Sequence, residues 1–539
     1  MSRFSSYSSK RTADGNEMYE SVVENFMGGN SFELSPLQTL KIIAASSIFG
    51  EPQYYRDGVN SEKTIKNHAS LIEYSIFNEL IKDKHSAAHV FESAIDAALD
   101  HDFHGTLELA KELRNVYQMR LNPAVIYVRA VQHKDRIAFN EQYPGYMREL
   151  AKSIALRPDD VTNQFDYFMY KNGSKKGLPS IMKRSWADIL EKMSRYQLNK
   201  YKGKKLIDLV RLSHANSEDI NELMTTGTLK VKDTEQTWES LRSAGKTWNE
   251  IVSTINVPHM ALLRNLRGIF TEISDRGQAE GILNYLKAGV EKGKQFPFRY
   301  WSAYKAVKNA DIHNSQLVLD TLEECMDRAV ANMPKLSGKV ACLSDNSGSA
   351  WGTFNSEYGS VTVAEIANLS SLITAQAADE GYVGVFGDRL SLEGVSKRNG
   401  LLTQLAETSQ RGRNQGGGTE NGIWMFWDDA IKNKKHYDTV FIYSDMQAGH
   451  GRLFGIDPRQ YKEYVHKKGN SFIDVLALVR KYRDTVNPKV NVFTVQVAGY
   501  NNTVLPENLY RGAILAGWTG KESMYAKAII DAWDEAESR

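Results

Sequence analysis

The stretch Lys339-Val340-Ala341-Cys342-Leu343-Ser344-Asp345-Asn346-Ser347-Gly348-Ser349 decides how this chain is read. Its apolar run Val340–Leu343 has strand length and stops abruptly at a carboxylate and two hydroxyls set at alternate positions. Placed at the carboxyl end of a buried strand, Asp345, Ser347 and Ser349 offer three hard oxygen ligands, a set that suits Mg²⁺. Downstream, Gly416-Gly417-Gly418-Thr419 is a glycine-rich loop able to bring up one more hydroxyl. Asp445 then closes the apolar run Thr439–Ser444 as Asp345 closes the first. Asp345, Ser347, Ser349, Thr419 and Asp445 are therefore the candidate ligands of a divalent cation, with Mg²⁺ as the expected cofactor. The competing reading is that Asp345 and the serines only cap a following helix.

Outward from this loop the chain has two periods. After Pro334, short apolar strands alternate with helices: Val340–Leu343, a helix over 363–378, Tyr382–Phe386, a helix from about Glu420, Thr439–Tyr443, Val490–Val497 and a final helix through Ser523–Trp533. Strand-helix alternation predicts a parallel sheet covered on both faces, with ligands at the carboxyl ends of the strands. From about residue 35 to 335, segments such as Leu37–Ile43, Ala87–Leu99, Leu107–Gln118 and Ala124–His133 repeat apolar residues every three or four positions. Such helices in series predict pairs stacked as a HEAT-like solenoid. The expected organisation is a flexible tail over 1–30, a helical-repeat domain over 31–335 and an α/β domain over 336–539.

The 539 residues exceed what one core supports, and 42% hydrophobic and 24% charged residues are ordinary globular values. Two cysteines, Cys325 and Cys342, provide no disulfide framework, which favours a reducing compartment. The polar amino terminus lacks a secretory apolar stretch, and no run of 18 apolar residues occurs; a cytoplasmic protein away from membranes is expected.

The net charge of +2 conceals an uneven distribution. Residues 171–214 carry twelve Lys and Arg against Asp188, Glu191 and Asp208, a local +9 that leaves −7 for the rest. Such a segment is an electrostatic footprint for polyanions, and Tyr196 and Tyr201 among its cations are positioned to stack on bases or to pack.

Two resemblances follow from these residues. The DxSxS loop with Thr419 and Asp445 resembles the metal-ion-dependent adhesion site of von Willebrand factor A domains, whose cation takes a partner's acidic group. Gly177–Arg184, Arg195-Tyr196, Lys205–His214, Val257–Leu266 and Phe296-Pro297-Phe298, in this order, resemble the Ro autoantigen (TROVE) family. That resemblance implies a ring of helical repeats closed by the von Willebrand A-like domain. It further implies binding of small noncoding Y RNAs on an outer basic surface and of single-stranded 3′ ends of misfolded or aberrant RNAs in a central hole. Bacterial members tether an exoribonuclease through a Y RNA.

Carried over, Arg195 and His214 are the leading Y RNA contacts. The full candidate RNA-binding set is Lys175, Lys176, Lys183, Arg184, Arg195, Lys200, Lys202, Lys204, Lys205, Arg211, His214 and Arg267. The linker Gln197–Lys204 is longer than the family's, so the choice among Lys200, Lys202 and Lys204 stays open. Arg264 and Arg267 share a family-like helix and are candidates to line the hole, with a structural role the favoured reading for Arg264 beside Asn265, and the segment from Gly449 to Asn470 is an enlargement without an assigned role. The chain is expected to act as a monomer.

An enzyme is the weaker reading. Mg²⁺ held by Asp345 and Asp445 is able to activate water, but nuclease centres gather several carboxylates, and Asp428 and Asp429 are expected to face solvent from a helix. No HExxH, GxSxG, CxxC pair or phosphate-binding GxxxxGK[ST] loop occurs. A third reading, a metal-dependent protein-binding adaptor, differs from RNA binding in responding to EDTA instead of to salt.

Overall fold

The computed structural model describes residues 22–24, 30–33, 35–45, 87–115, 119–230, 237–293, 295–356, 359–417, 422–446, 474–497, 502–506, 509–517 and 520–538. By internal contacts the chain divides into two compact units, one over Ser35–Ile72 and Phe77–Glu235, the other over Gln236–Arg539 with Met1–Leu34 and Glu73–Ile76. Neither unit has, among the described residues, a helix long and apolar enough to cross a membrane.

The first unit is helical throughout its described residues. Tyr146–Ile154 shows why: Met147, Leu150, Ala151 and Ile154 recur at helical spacing and are the residues buried. Helix ends follow local chemistry. Pro158 opens Pro158–Asn172 at its first turn, where a missing N–H is harmless, and Gly173 ends it at φ 66°. Neighbours in sequence pack on one another, with Ser180–Leu190 lying against both Tyr146–Ile154 and Lys204–Ser213. Trp186 is fully buried, and its indole N–H donates to Gln164 Oε1 of helix Pro158–Asn172 at 2.8 Å. The helix expected over Leu107–Gln118 spans Phe103–Asn115.

The second unit begins with helices from Trp238–Ser243 to Ser315–Ala331 and continues into strands. The strands are β1 (Val22–Glu24), β2 (Asn30–Glu33), β3 (Leu336–Asp345), β4 (Thr353–Ser356), β5 (Gly359–Thr362), β6 (Ala378–Phe386), β7 (Leu390–Gly394), β8 (Thr439–Ser444), β9 (Asn491–Gln496), β10 (Asn502–Thr503) and β11 (Gly512–Ala516). Six form one sheet in the order β11-β9-β8-β3-β6-β7, parallel except for β7, which returns antiparallel on β6. Helices Val363–Gln376, Leu401–Arg413, Gly422–Lys432, Val475–Thr485 and Glu522–Ser538 alternate with its strands. Val340, Ala341, Cys342 and Leu343 are completely buried, as a central parallel strand covered on both faces requires. Cys325 and Cys342 are both free thiols in the core.

β1, within the stretch expected as a tail, pairs with β2 at its end, and β2 pairs through Glu33 and Phe32 with Asn502 and Thr503 of β10. The helices run to Ala331 and β3 starts at Leu336.

Candidate functional site

β3 and β8 are neighbours in the sheet, with Ser344 opposite Tyr443, so Asp345 and Asp445 emerge side by side at the carboxyl edge. Both are buried, Asp345 completely. Asp345 accepts from the Ser347 N–H (2.9 Å) and from Ser444 Oγ (2.8 Å). Ser349 Oγ donates to Asp445 Oδ2 at 3.3 Å and lies 3.3 Å from Ser347 Oγ. Met446, a non-glycine residue at φ 66°, turns the chain sharply after Asp445, and its N–H donates to Ser444 Oγ. Asp345, Ser347, Ser349 and Asp445 are thus brought together. Thr419 lies outside the described residues, as does the segment from Gly449 to Asn470. The glycine loop nevertheless reaches the site at Gly417, whose carbonyl accepts from the Gly348 N–H at 3.2 Å. A Cβ on Gly348 would stand 2.7 Å from that carbonyl oxygen, so only glycine permits the approach.

The donor set fits a hard divalent cation. Burial, and then the adjacent Asp445 carboxylate, push Asp345 up from 3.8 to about 7. Two buried like charges flanked by hydroxyls are relieved by a cation bound through oxygen. The capping alternative finds no support, because the one-turn 3₁₀ helix Ser349–Trp351 that follows receives no side-chain cap. Asp428 corrects the expectation of exposure: it is buried, and its carboxylate pairs with Lys432 at 2.7 Å.

Sequence reasoning missed the supports of this loop. Asn346 Nδ2 donates to Ser344 O (3.0 Å) and Asn368 Oδ1 (2.9 Å), and Asn368 Nδ2 donates back to Asn346 Oδ1 (3.1 Å). Trp351 Nε1 donates to Asn346 O at 3.1 Å, and the Arg413 guanidinium stacks 3.8 Å above the Trp351 ring. The one available signal was Asn368-Leu369-Ser370-Ser371, a polar run inside an otherwise apolar helix.

The basic stretch belongs to the first unit. Its cations fall into two groups. Arg195 is fully engaged: Nε donates to Lys230 O (2.7 Å), Nη1 to Asp219 (2.6 Å) and Nη2 to Glu222 (2.5 Å). Lys205 pairs with Asp166 (2.8 Å), Lys175 with Asp208 (3.9 Å), and Lys202 donates to Thr228 Oγ1 (3.0 Å). Lys200 lies 5.9 Å from the Tyr196 ring centre. Lys176, Lys183, Arg184, Arg211 and His214 pair with no carboxylate among the described residues, and all but half-buried Lys183 are exposed. His214 ends its helix in the left-handed region at φ 58°. The side chain of Lys204 lies outside the described residues. In the second unit, Arg267 is exposed on helix His259–Glu272, and so, against expectation, is Arg264; Asn265 alone donates to a helix carbonyl, Ala261 O, at 2.8 Å.

A TROVE domain matches residues 228–340, which include the Val257–Leu266 and Phe296–Phe298 motifs and exclude Gly177–His214. The crystal structure of the RO (RSR) protein of Deinococcus radiodurans is similar with a TM-score of 0.55 at 14% identity, over 81% of this chain and 92% of that one. No curated protein matches. The fold is accordingly a HEAT-like helical-repeat array joined to an α/β domain of the von Willebrand factor A type. The sequence thus carries a TROVE domain over residues 228–340, and over four fifths of its length the chain has a fold similar to that of a Ro protein.

Proposed function

We propose that this chain binds small structured noncoding RNAs of the Y RNA type through the cation-bearing helices of its first unit. In the same reading it admits single-stranded 3′ ends of misfolded or aberrant RNAs to the hole of a ring, for RNA quality control or as a ribonucleoprotein scaffold in the cytoplasm. An RNA-tethered exoribonuclease is the partner this reading favours. The observation that carries it is the set Lys176, Lys183, Arg184, Arg211 and His214, which have no carboxylate partner among the described residues. Helices Ser180–Leu190 and Lys204–Ser213, which carry Lys183, Arg184 and Arg211, pack together, so a phosphate backbone meets cations that need break no ion pair with the described residues first.

The metal loop favours a second, compatible role in the other unit. Two buried carboxylates and two hydroxyls suit Mg²⁺ held for a partner's acidic group, and the buried Asp428 is occupied by Lys432 instead of serving as a third ligand. Catalysis is therefore no part of the proposal.

The test compares one hairpin RNA with and without a single-stranded 3′ tail at physiological salt, by filter binding. The tailed RNA is expected to bind tighter, and both affinities are expected to fall steeply with salt. Equal affinities would sink the threading mechanism. Charge reversal at Lys183 and Arg184 should weaken RNA binding, while EDTA or Asp345→Ala should leave it intact.

A further inference from the structure

Arg413 stands out among the cations near the metal loop. It is exposed, ends helix Leu401–Arg413, and pairs with no carboxylate among the described residues. Its orientation is nevertheless fixed, because the guanidinium lies 3.8 Å above the Trp351 ring. Trp351 is in turn held by its N–H bond to Asn346 O, the carbonyl between Asp345 and Ser347, and it closes the 3₁₀ turn that Ser349 begins. On the other side, the chain runs from Arg413 in four residues to Gly417, which bonds Gly348 within the same loop. Gly412, just before the arginine, packs against the Asn346 side chain. An uncompensated, oriented guanidinium is thus braced from both directions against the segment that carries the candidate metal ligands.

A guanidinium presented in this way matches a carboxylate, through two parallel N–H donors. We infer that the Trp351–Arg413 stack is a second acid-binding position at the rim of the metal loop, and that the partner taken there is a protein segment with two carboxylates. One carboxylate completes the cation's coordination and the other meets Arg413. The inference rests on the metal reading above and adds the specificity. An RNA phosphate is the competing occupant, but the loop's own chemistry is acidic, and polyanion binding has a larger unpaired cation set in the other unit.

The experiment uses the full chain. Mg²⁺ binding is first measured alone by calorimetry, for wild type, Arg413→Gln and Arg413→Lys. Fluorescence anisotropy in Mg²⁺ then compares a labelled peptide carrying two aspartates separated by one residue with the same peptide in which one is asparagine. Wild type is expected to prefer the two-acid peptide about fivefold, the scale of one exposed charge pair. Arg413→Gln should bind Mg²⁺ normally and lose that preference, and Arg413→Lys should retain part of it. Equal affinities, no peptide binding with Mg²⁺ bound, or an undiminished preference in Arg413→Gln overturns the inference alone. Failure of Mg²⁺ to bind wild type overturns the metal reading together with it. Weakened binding of an oligouridylate, with the peptides unaffected, would assign Arg413 to phosphate instead.

Discussion

Gly412→Ala sets two known effects against each other. Gly412 is buried in the helix Leu401–Arg413, where alanine normally gains about 1 kcal/mol in helix propensity. Here the new Cβ would stand 2.0 Å from Asn346 Oδ1 and 2.5 Å from its Cγ, so that side chain must move. Asn346 is 1% exposed and makes three hydrogen bonds with Ser344 and Asn368. Overpacking costs about 1–3 kcal/mol and each lost bond about 1, so the clash outweighs propensity and the net loss is about 3 kcal/mol. For a unit of this size that lowers the melting temperature by about 4 °C. Calorimetric melts of wild type, Gly412→Ala, Asn346→Ala and the double variant measure it. Truncating Asn346 removes the obstructing atoms and leaves only its Cβ at 3.2 Å. Gly412→Ala should therefore cost almost nothing in that background. An equal cost in both backgrounds would refute the contact as the cause. The Mg²⁺-induced rise in melting temperature should also shrink in Gly412→Ala, since Asn346 lies between two candidate ligands.

Three further outcomes are expected. The double variant Asp219→Asn, Glu222→Gln removes the two acids that hold Arg195, so affinity for a hairpin RNA should rise about fivefold and the salt dependence steepen by about one ion; unchanged binding would place Arg195 outside the RNA surface. Asp345→Asn should abolish the Mg²⁺-induced melting shift. Because the folded protein holds the Asp345 carboxyl proton from 3.8 up to about 7, stability in chelator should fall as pH rises through that window, and Asp345→Asn should flatten the fall in pH-dependent melts. Trp186→Phe leaves Gln164 without its donor and opens space in a buried core, which should cost about 2 kcal/mol in urea unfolding of the first unit.

The sheet was legible because a buried parallel strand must be apolar along its whole length. Val340–Leu343 and Thr439–Tyr443 announce themselves, and the polar residues that end them mark the carboxyl edge. The helices were legible from spacing, as in Met147, Leu150, Ala151 and Ile154. What spacing cannot convey is pairing across distance. Arg195 looked like a free cation because Asp219 and Glu222 lie 24 and 27 residues away. Asp428 was expected in solvent, yet its helix turns that face inward and Lys432 one turn on neutralises it. Arg264 was assigned to the interior on the strength of its apolar neighbours, although its own position on the helix points outward. The Asn346–Asn368 pair joins a loop to a helix, and no local pattern ties the two.

The pairing of β2 with β10 bears on the order in which the protein is made. Glu33 leaves the ribosome roughly 470 residues before Asn502, an interval of about half a minute to a minute and a half at ordinary rates of synthesis. The nascent amino-terminal hairpin must wait through that interval with an unpaired edge while all the helices of the first unit are produced. Strands of three and four residues present too short an edge to recruit a neighbouring chain. Their brevity lets this pairing remain open until translation is nearly complete.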